Sequence, residues 1–109
     1  MKQSIDFTKS NGLVPVIIQD YRTGDVYMLG YMNKEALEKT IYNGWVYFWS
    51  RSRQKLWLKG EQSGNKLKVK EIYSDCDNDS ILVKVELVGS NVCHTGKKSC
   101  FYTELGENV

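Results

Sequence analysis

Two stretches of period-two alternation bracket a run of acids, and no other feature of the chain restricts its fold as strongly. Lys66 to Lys70 alternates lysine with Leu67 and Val69, while Ile81, Val83, Val85 and Leu87 alternate with Lys84 and Glu86 before Gly89. Successive strand side chains point to opposite faces, so each stretch reads as a strand with one wet and one buried face. Upstream, the apolar run Leu13-Val-Pro-Val-Ile-Ile18 is separated from Val26-Tyr-Met-Leu29 by the turn residues of Asp20-Tyr-Arg-Thr-Gly-Asp25. A hairpin is expected there. Pro15 has no N–H for a ladder, which predicts that the first strand lies at a sheet edge or turns that position outward.

Between these segments the period changes. Asn33 is a favourable N-cap, Glu35 suits a first turn, and Ala36, Leu37, Thr40 and Ile41 recur at helical spacing before Gly44, so Lys34 to Asn43 is predicted helical. The aromatic and β-branched run Trp45 to Trp49 and the shorter Leu56-Trp-Leu58 flank Ser50 to Gln54 and predict a second hairpin. Gly60-Glu-Gln-Ser-Gly-Asn65 reads as another turn. The expected fold class is mainly β (α+β), a mixed and largely antiparallel sheet with one main helix.

A chain of 109 residues suits a single domain spanning 1–109. At that length roughly two-thirds of the unfolded surface can be buried, so a core is feasible and dimerisation would help it. The composition, 41% hydrophobic and 26% charged with one proline, is that of a globular protein. Met1 to Ser10 lacks the apolar centre of a secretory signal, and no run approaches the ~18 apolar residues of a membrane span. A cytoplasmic protein without a membrane partner is expected. A net charge of +2 is too small to argue for nucleic-acid binding, although Arg51/Arg53 and Lys97/Lys98 form local basic clusters. Only the tail from Gly106 onward is expected to fray.

The chemistry concentrates in two places. Ser74-Asp-Cys-Asp-Asn-Asp-Ser80 places Asp75, Asp77 and Asp79 at alternating positions. If this segment is extended, the carboxylates share one side and Cys76 takes the other, a hard-oxygen set suited to Mg²⁺ back to back with a soft ligand suited to Zn²⁺. A plain acidic turn in solvent is the alternative. The spacing with Glu86 at the twelfth position also matches a calcium loop, yet Ser80 stands where that loop needs glycine and the flanks alternate like strands.

The second cluster, Asn91 to Phe101, carries Cys93, His94 and Cys100. Three cysteines are an odd set that cannot pair completely, and with Cys76 they fit a catalytic zinc site, which keeps three protein ligands and one open position. The competing reading is that each thiol is a small buried hydrophobe. His94 is either a fourth ligand, which would make the site structural, or a base beside the metal; the base is favoured. Arg51 and Arg53, two apart, would point the same way from an extended segment and suit phosphate oxygens. Tyr47, Trp49 and Trp57 could stack on a base, although such strands are more often core.

These residues resemble those of the phosphoribosyl-AMP cyclohydrolase family over roughly Leu13 to Phe101. The resemblance is carried by Asp20-Tyr-Arg-Thr-Gly-Asp-Val26, Tyr31-Met-Asn33, Trp49-Ser-Arg-Ser-Arg53, Leu56-Trp57, Lys59-Gly-Glu61, Ser63-Gly-Asn65, Asp75-Cys-Asp-x-Asp79 and Cys93-His-Thr-Gly-x-x-Ser-Cys-Phe101. It implies an intertwined homodimer in which Cys76 of one subunit joins Cys93 and Cys100 of the other around Zn²⁺, while Asp75, Asp77 and Asp79 bind Mg²⁺. It further implies a hydrolase of histidine biosynthesis that opens the adenine ring of 1-(5-phosphoribosyl)-AMP between N1 and C6. His94 would then act as acid or base, and Arg51, Arg53 and Lys59 would hold the phosphates. The chain departs from the pattern at Gln62, where threonine is expected, and at Tyr102, where a basic residue is usual. Many relatives fuse this domain to a pyrophosphatase, which leaves a stand-alone form or an excised domain here. A zinc-stabilised nucleic-acid module and a structural zinc protein are the rival classes.

Overall fold

The computed structural model describes residues 4–106, so the first three positions and all but Gly106 of the tail expected to fray lie outside it. The chain runs β1 (Val14–Asp20), β2 (Val26–Met32), α1 (Lys34–Asn43), β3 (Tyr47–Ser50), β4 (Lys55–Leu58), β5 (Lys66–Ser74) and β6 (Ile81–Val88). This is the expected class: strands with one helix, in a mixed and largely antiparallel arrangement.

Four strands form one sheet in the order β2-β1-β6-β5, and β3 pairs with β4 in a second. Both predicted hairpins form, β1 with β2 and β3 with β4. The long strands β5 and β6 make a third antiparallel pair, with Lys70 bulged out between Val69 and Glu71. Among the described strands only β1 and β6 run parallel, from Val16 opposite Ile81 to Asp20 opposite Val85. That pairing puts β1 inside the sheet, not at its edge as Pro15 suggested. The proline is tolerated because it lies one residue ahead of the β6 ladder and faces Tyr31 of β2 on its other side.

The alternation seen in sequence builds the core. Val14, Val16 and Ile18 of β1 and Ile81, Val83 and Val85 of β6 are all buried on one face, joined by Tyr27, Met32, Leu67 and Phe48. The helix covers that face with Ala36 and Leu37. It starts where Asn33 Oδ1 accepts from Ala36 N at 2.8 Å, and it ends at Gly44, whose φ of 79° is the left-handed turn that glycine adopts freely. Gly44 to Val46 stitches the small hairpin to β5, through Val46 N to Leu67 O and Val69 N to Gly44 O. No helix among the described residues is long and apolar enough to cross a membrane.

Candidate active site at the two ends of β6

The acidic cluster occupies the turn from β5 into β6. It is not extended, so the carboxylates do not meet by strand alternation. They meet because the chain folds back at Asn78, whose φ is 61°, with Asn78 N bonded to Asp75 O and Asp75 N to Ser80 O. Asp75 organises the turn from within, its Oδ1 accepting from Asp79 N and Ser80 N and its Oδ2 from Ser80 Oγ at 2.7 Å. These bonds, the Ser80 hydroxyl first, hold its carboxyl far below the ordinary carboxylate range. One oxygen of each of Asp75, Asp77 and Asp79 then lies within 4.8 Å of the others. Lys9, from the segment before β1, answers that charge at 3.3 Å from Asp77 and 3.1 Å from Asp79. It draws the Asp79 carboxyl down, but hydrogen bonding with Asp77 and repulsion from Asp75 outweigh it and leave Asp79 raised. A compact set of hard oxygens fits Mg²⁺, with Lys9 in place of a counter-ion. The flanking strands exclude the helix-flanked calcium loop.

Cys93, His94 and Cys100 sit in the loop after β6. Val92 N bonds to Lys98 O, Cys93 N to Lys97 O and Gly96 N to Cys93 O, which closes the loop on itself. Its far end is pinned to β2, through Cys100 N to Tyr27 O and Ser99 Oγ to Val26 O. Cys93 is buried, and its Sγ lies 3.1 Å from the Thr95 hydroxyl. Thr95, through its hydroxyl and its N–H, lowers the Cys93 thiol; the Cys100 thiol and the Lys59 charge add smaller effects. Cys100 is pushed up by partial burial of its thiol and by the neighbouring Cys93. The pair is therefore polarised, and Cys93 gives up its proton first. Two adjoining thiols beside a cation fit a soft metal such as Zn²⁺.

Cys76 does not join them. It lies exposed in the acidic turn, before β6, whereas Cys93 follows β6, and that strand of eight residues spans roughly 25 Å at the rise of a strand. Among the described residues the three aspartates are the one group of three or more such donors that converges, so His94 does not complete a cluster with the two thiols.

A cleft of about 360 Å³ opens beside the cysteine loop. Arg53, Trp57, Lys59 and Gln62 line it together with His94 and Cys100 of the cysteine loop. Lys59 is tied to the start of the cysteine loop, donating to Val92 O at 2.8 Å. Arg51 and Arg53 do not point together as an extended segment would have them. They lie in the turn between β3 and β4, where Arg51 stacks on the Tyr31 ring at 4.0 Å while Arg53 faces the cleft. Trp57 is both core, 5.4 Å from the Phe48 ring, and cleft wall. Gln62, one of the departures from the family pattern, lies beside the expected substrate-binding residues. At the other, Tyr102 accepts the Lys97 ammonium over its ring at 5.5 Å, so a cation is supplied from five residues upstream. Thr95 stood in the cysteine motif with no role read for it, and Lys9 carried no signal because its partners Asp77 and Asp79 are brought near only by folding.

Residues 28–102 match the family described as Phosphoribosyl-AMP cyclohydrolase. A protein of that name from Solibacter usitatus (strain Ellin6076) is 59% identical over 102 residues, covering 94% of this chain and 81% of the relative. Another, from Clostridium botulinum (strain 657 / Type Ba4), is 59% identical over 103 residues and covers 94% and 93%. A third, from Desulfatibacillum aliphaticivorans, is 58% identical over 98 residues, covering 90% and 78%. The chain belongs to the phosphoribosyl-AMP cyclohydrolase family.

Proposed function

We propose that this chain hydrolyses the N1–C6 bond of the adenine ring in 1-(5-phosphoribosyl)-AMP, a step of histidine biosynthesis, with water activated at a zinc site completed by two copies of the chain. The observation that carries the reading is one cleft that gathers Cys100, His94, Arg53 and Lys59, with Cys93 adjoining. Cys93 and Cys100 would hold the zinc together with Cys76 of a second copy. A homodimer supplies what one chain lacks, because Cys76 and Cys93 stand at opposite ends of β6. Bound zinc supplies Lewis acidity and brings the ionisation of water near neutral pH. Asp75, Asp77 and Asp79 would hold Mg²⁺.

The protein's own groups perform the rest. His94, exposed at the cleft, accepts a proton as the water oxygen bonds to C6. The C6–N1 bond breaks with its electron pair on N1, the oxygen stays on carbon and the water's protons end on nitrogen. Arg53 and Lys59 bind phosphate oxygens, and Arg51 offers the edge of a guanidinium whose face already covers Tyr31. Trp57 gives the substrate's ring a flat apolar wall. A cytoplasmic location suits three thiols that must stay reduced.

The direct test follows ultraviolet absorbance while purified protein, Zn²⁺ and Mg²⁺ are incubated with phosphoribosyl-AMP. Ring opening changes the spectrum, and a flat trace at saturating substrate overturns the proposal. Cys93→Ser is expected to lose both zinc and turnover; wild-type zinc content in that variant would remove Cys93 from the ligand set. Chelation that unfolds a chain already devoid of turnover would favour a purely structural metal.

A further inference from the structure

Asn65 stands outside the cleft lining, yet it ties the turn that supplies Gly60 to Ser63 to the loop that supplies Val92, His94 and Cys100. Its Oδ1 accepts from Ser90 N at 3.0 Å, and its Nδ2 donates to Asn91 Oδ1 at 3.4 Å. Asn91 in turn donates through Nδ2 to the Cys93 carbonyl at 2.9 Å, and the Ser90 hydroxyl donates to the same Asn91 Oδ1 at 2.7 Å, which fixes that amide's orientation. A continuous hydrogen-bonded line thus runs from the Gly60–Asn65 turn to the backbone of Cys93. Two glycines approach Asn65 closely. A Cβ on Gly60 would clash with the Asn65 carbonyl oxygen, and one on Gly89 with Asn65 Oδ1.

We propose that Asn65 is a positioning residue that sets the Cys93 thiol for metal binding, acting through Asn91. This rests on the reading of Cys93 as a zinc ligand. The physical reason is that Cys93 lies in a loop of irregular backbone with no strand or helix to hold it. Its position is set by what grips the loop on either side. Ser99 and Cys100 are tied to β2 at the far end, and on the near side the ties are the Lys59 bond to Val92 O and the Asn65–Asn91 line. A ligand held within a fraction of an ångström of its productive place binds metal more tightly, because less ordering is left for the metal to impose.

The experiment is a zinc-affinity titration against a chromophoric chelator at fixed pH. It uses the wild type, Asn65→Ala, Asn65→Asp, Asn91→Ala and the double variant Asn65→Ala/Asn91→Ala, each with its thermal midpoint. Asn65→Ala and Asn91→Ala are each expected to weaken zinc binding by about tenfold, the lower end for outer-shell partners of a metal ligand. Asn65→Asp keeps the acceptor for Ser90 N but puts an oxygen where the donor to Asn91 Oδ1 stood, which breaks the line, so it should weaken zinc binding about as much as Asn65→Ala, and the double variant should be no weaker than the worse single one, as members of one line are not additive. Asn33→Ala, which removes a helix cap far along the chain, should lower the thermal midpoint and leave zinc affinity unchanged, separating positioning from general destabilisation. The inference is overturned if Asn65→Ala binds zinc like wild type, if the two single effects multiply, or if Asn33→Ala weakens zinc equally. If Cys93→Ser keeps wild-type zinc affinity, the ligand reading falls and takes the inference with it; loss of zinc there with no effect of Asn65→Ala overturns the inference alone.

Discussion

Tyr27 and Asp20 illustrate what single residues contribute beyond their type. Tyr27 is 1% exposed and donates its hydroxyl to Asp20 Oδ2 at 2.6 Å. That bond, assisted by the N–H groups of Thr23 and Arg22, lowers the Asp20 carboxyl from 3.8 to about 2 despite some desolvation. A carboxyl depressed in the folded state stabilises the protein at pH above its unfolded value, and the contribution fades as pH falls from about 4 toward 2. Tyr27→Phe should therefore cost about 1–2 kcal/mol near neutral pH, toward the low end for a bond to a charged group because Asp20 is half-exposed to screening solvent. Urea melts at several pH values test it: the gap between variant and wild type should narrow between pH 4 and 2, and a gap of constant size would contradict the assignment. The turn around Asp20 was legible from its residues. Its partner was not, because the two side chains meet only through the register of the hairpin.

At the scale of elements, the helix formed over the residues its cap and stop residues marked, since Asn33 and Gly44 act through bonds within a few residues of themselves. The acidic turn behaved differently. Period-two reasoning placed its aspartates on one side of a strand, but Asp75 satisfies the N–H groups of Asp79 and Ser80, a local competitor to the ladder. Carboxylate convergence was legible, the backbone that produces it was not. Gly30 shows a tertiary demand of another kind: a Cβ there would come within 2.6 Å of Phe48 Cε1, and Phe48 is 1% exposed with nowhere to move. Gly30→Ala is expected to destabilise by about 1–3 kcal/mol, the range for overpacking a filled core. Chemical denaturation checks it, and pairing the change with Phe48→Leu should recover part of the loss, since the two then share one space.

For the whole molecule, the parallel pairing of β1 with β6 is the contact that makes one sheet of segments about 60 residues apart in sequence. The β5 ladder, which runs along β6 from Ile81 to Val88, sets the distance between the acidic turn and the cysteine loop, and so the separation of Cys76 from Cys93. If two copies share each zinc site, mixing inactive Cys76→Ser and Cys93→Ser subunits should restore activity, because a mixed dimer regains one intact site. Activity that stays absent after verified subunit exchange would place every site within a single chain.

The sequence by itself determined what depends on near neighbours. Alternation marked the strands, the cap and glycine bounded the helix, and the Asp75-Cys-Asp-x-Asp79 and Cys93 to Cys100 motifs carried the family, since residue type and spacing are preserved in the chain itself. The tertiary structure alone decided that Pro15 sits in an inner strand, that Arg51 and Arg53 part, that Lys9 meets the aspartates, and that Asn65 grips the cysteine loop. Each of these turns on strand order, register or a distant side chain's approach, and such contacts are settled by how the whole chain packs its apolar face, which no local pattern encodes.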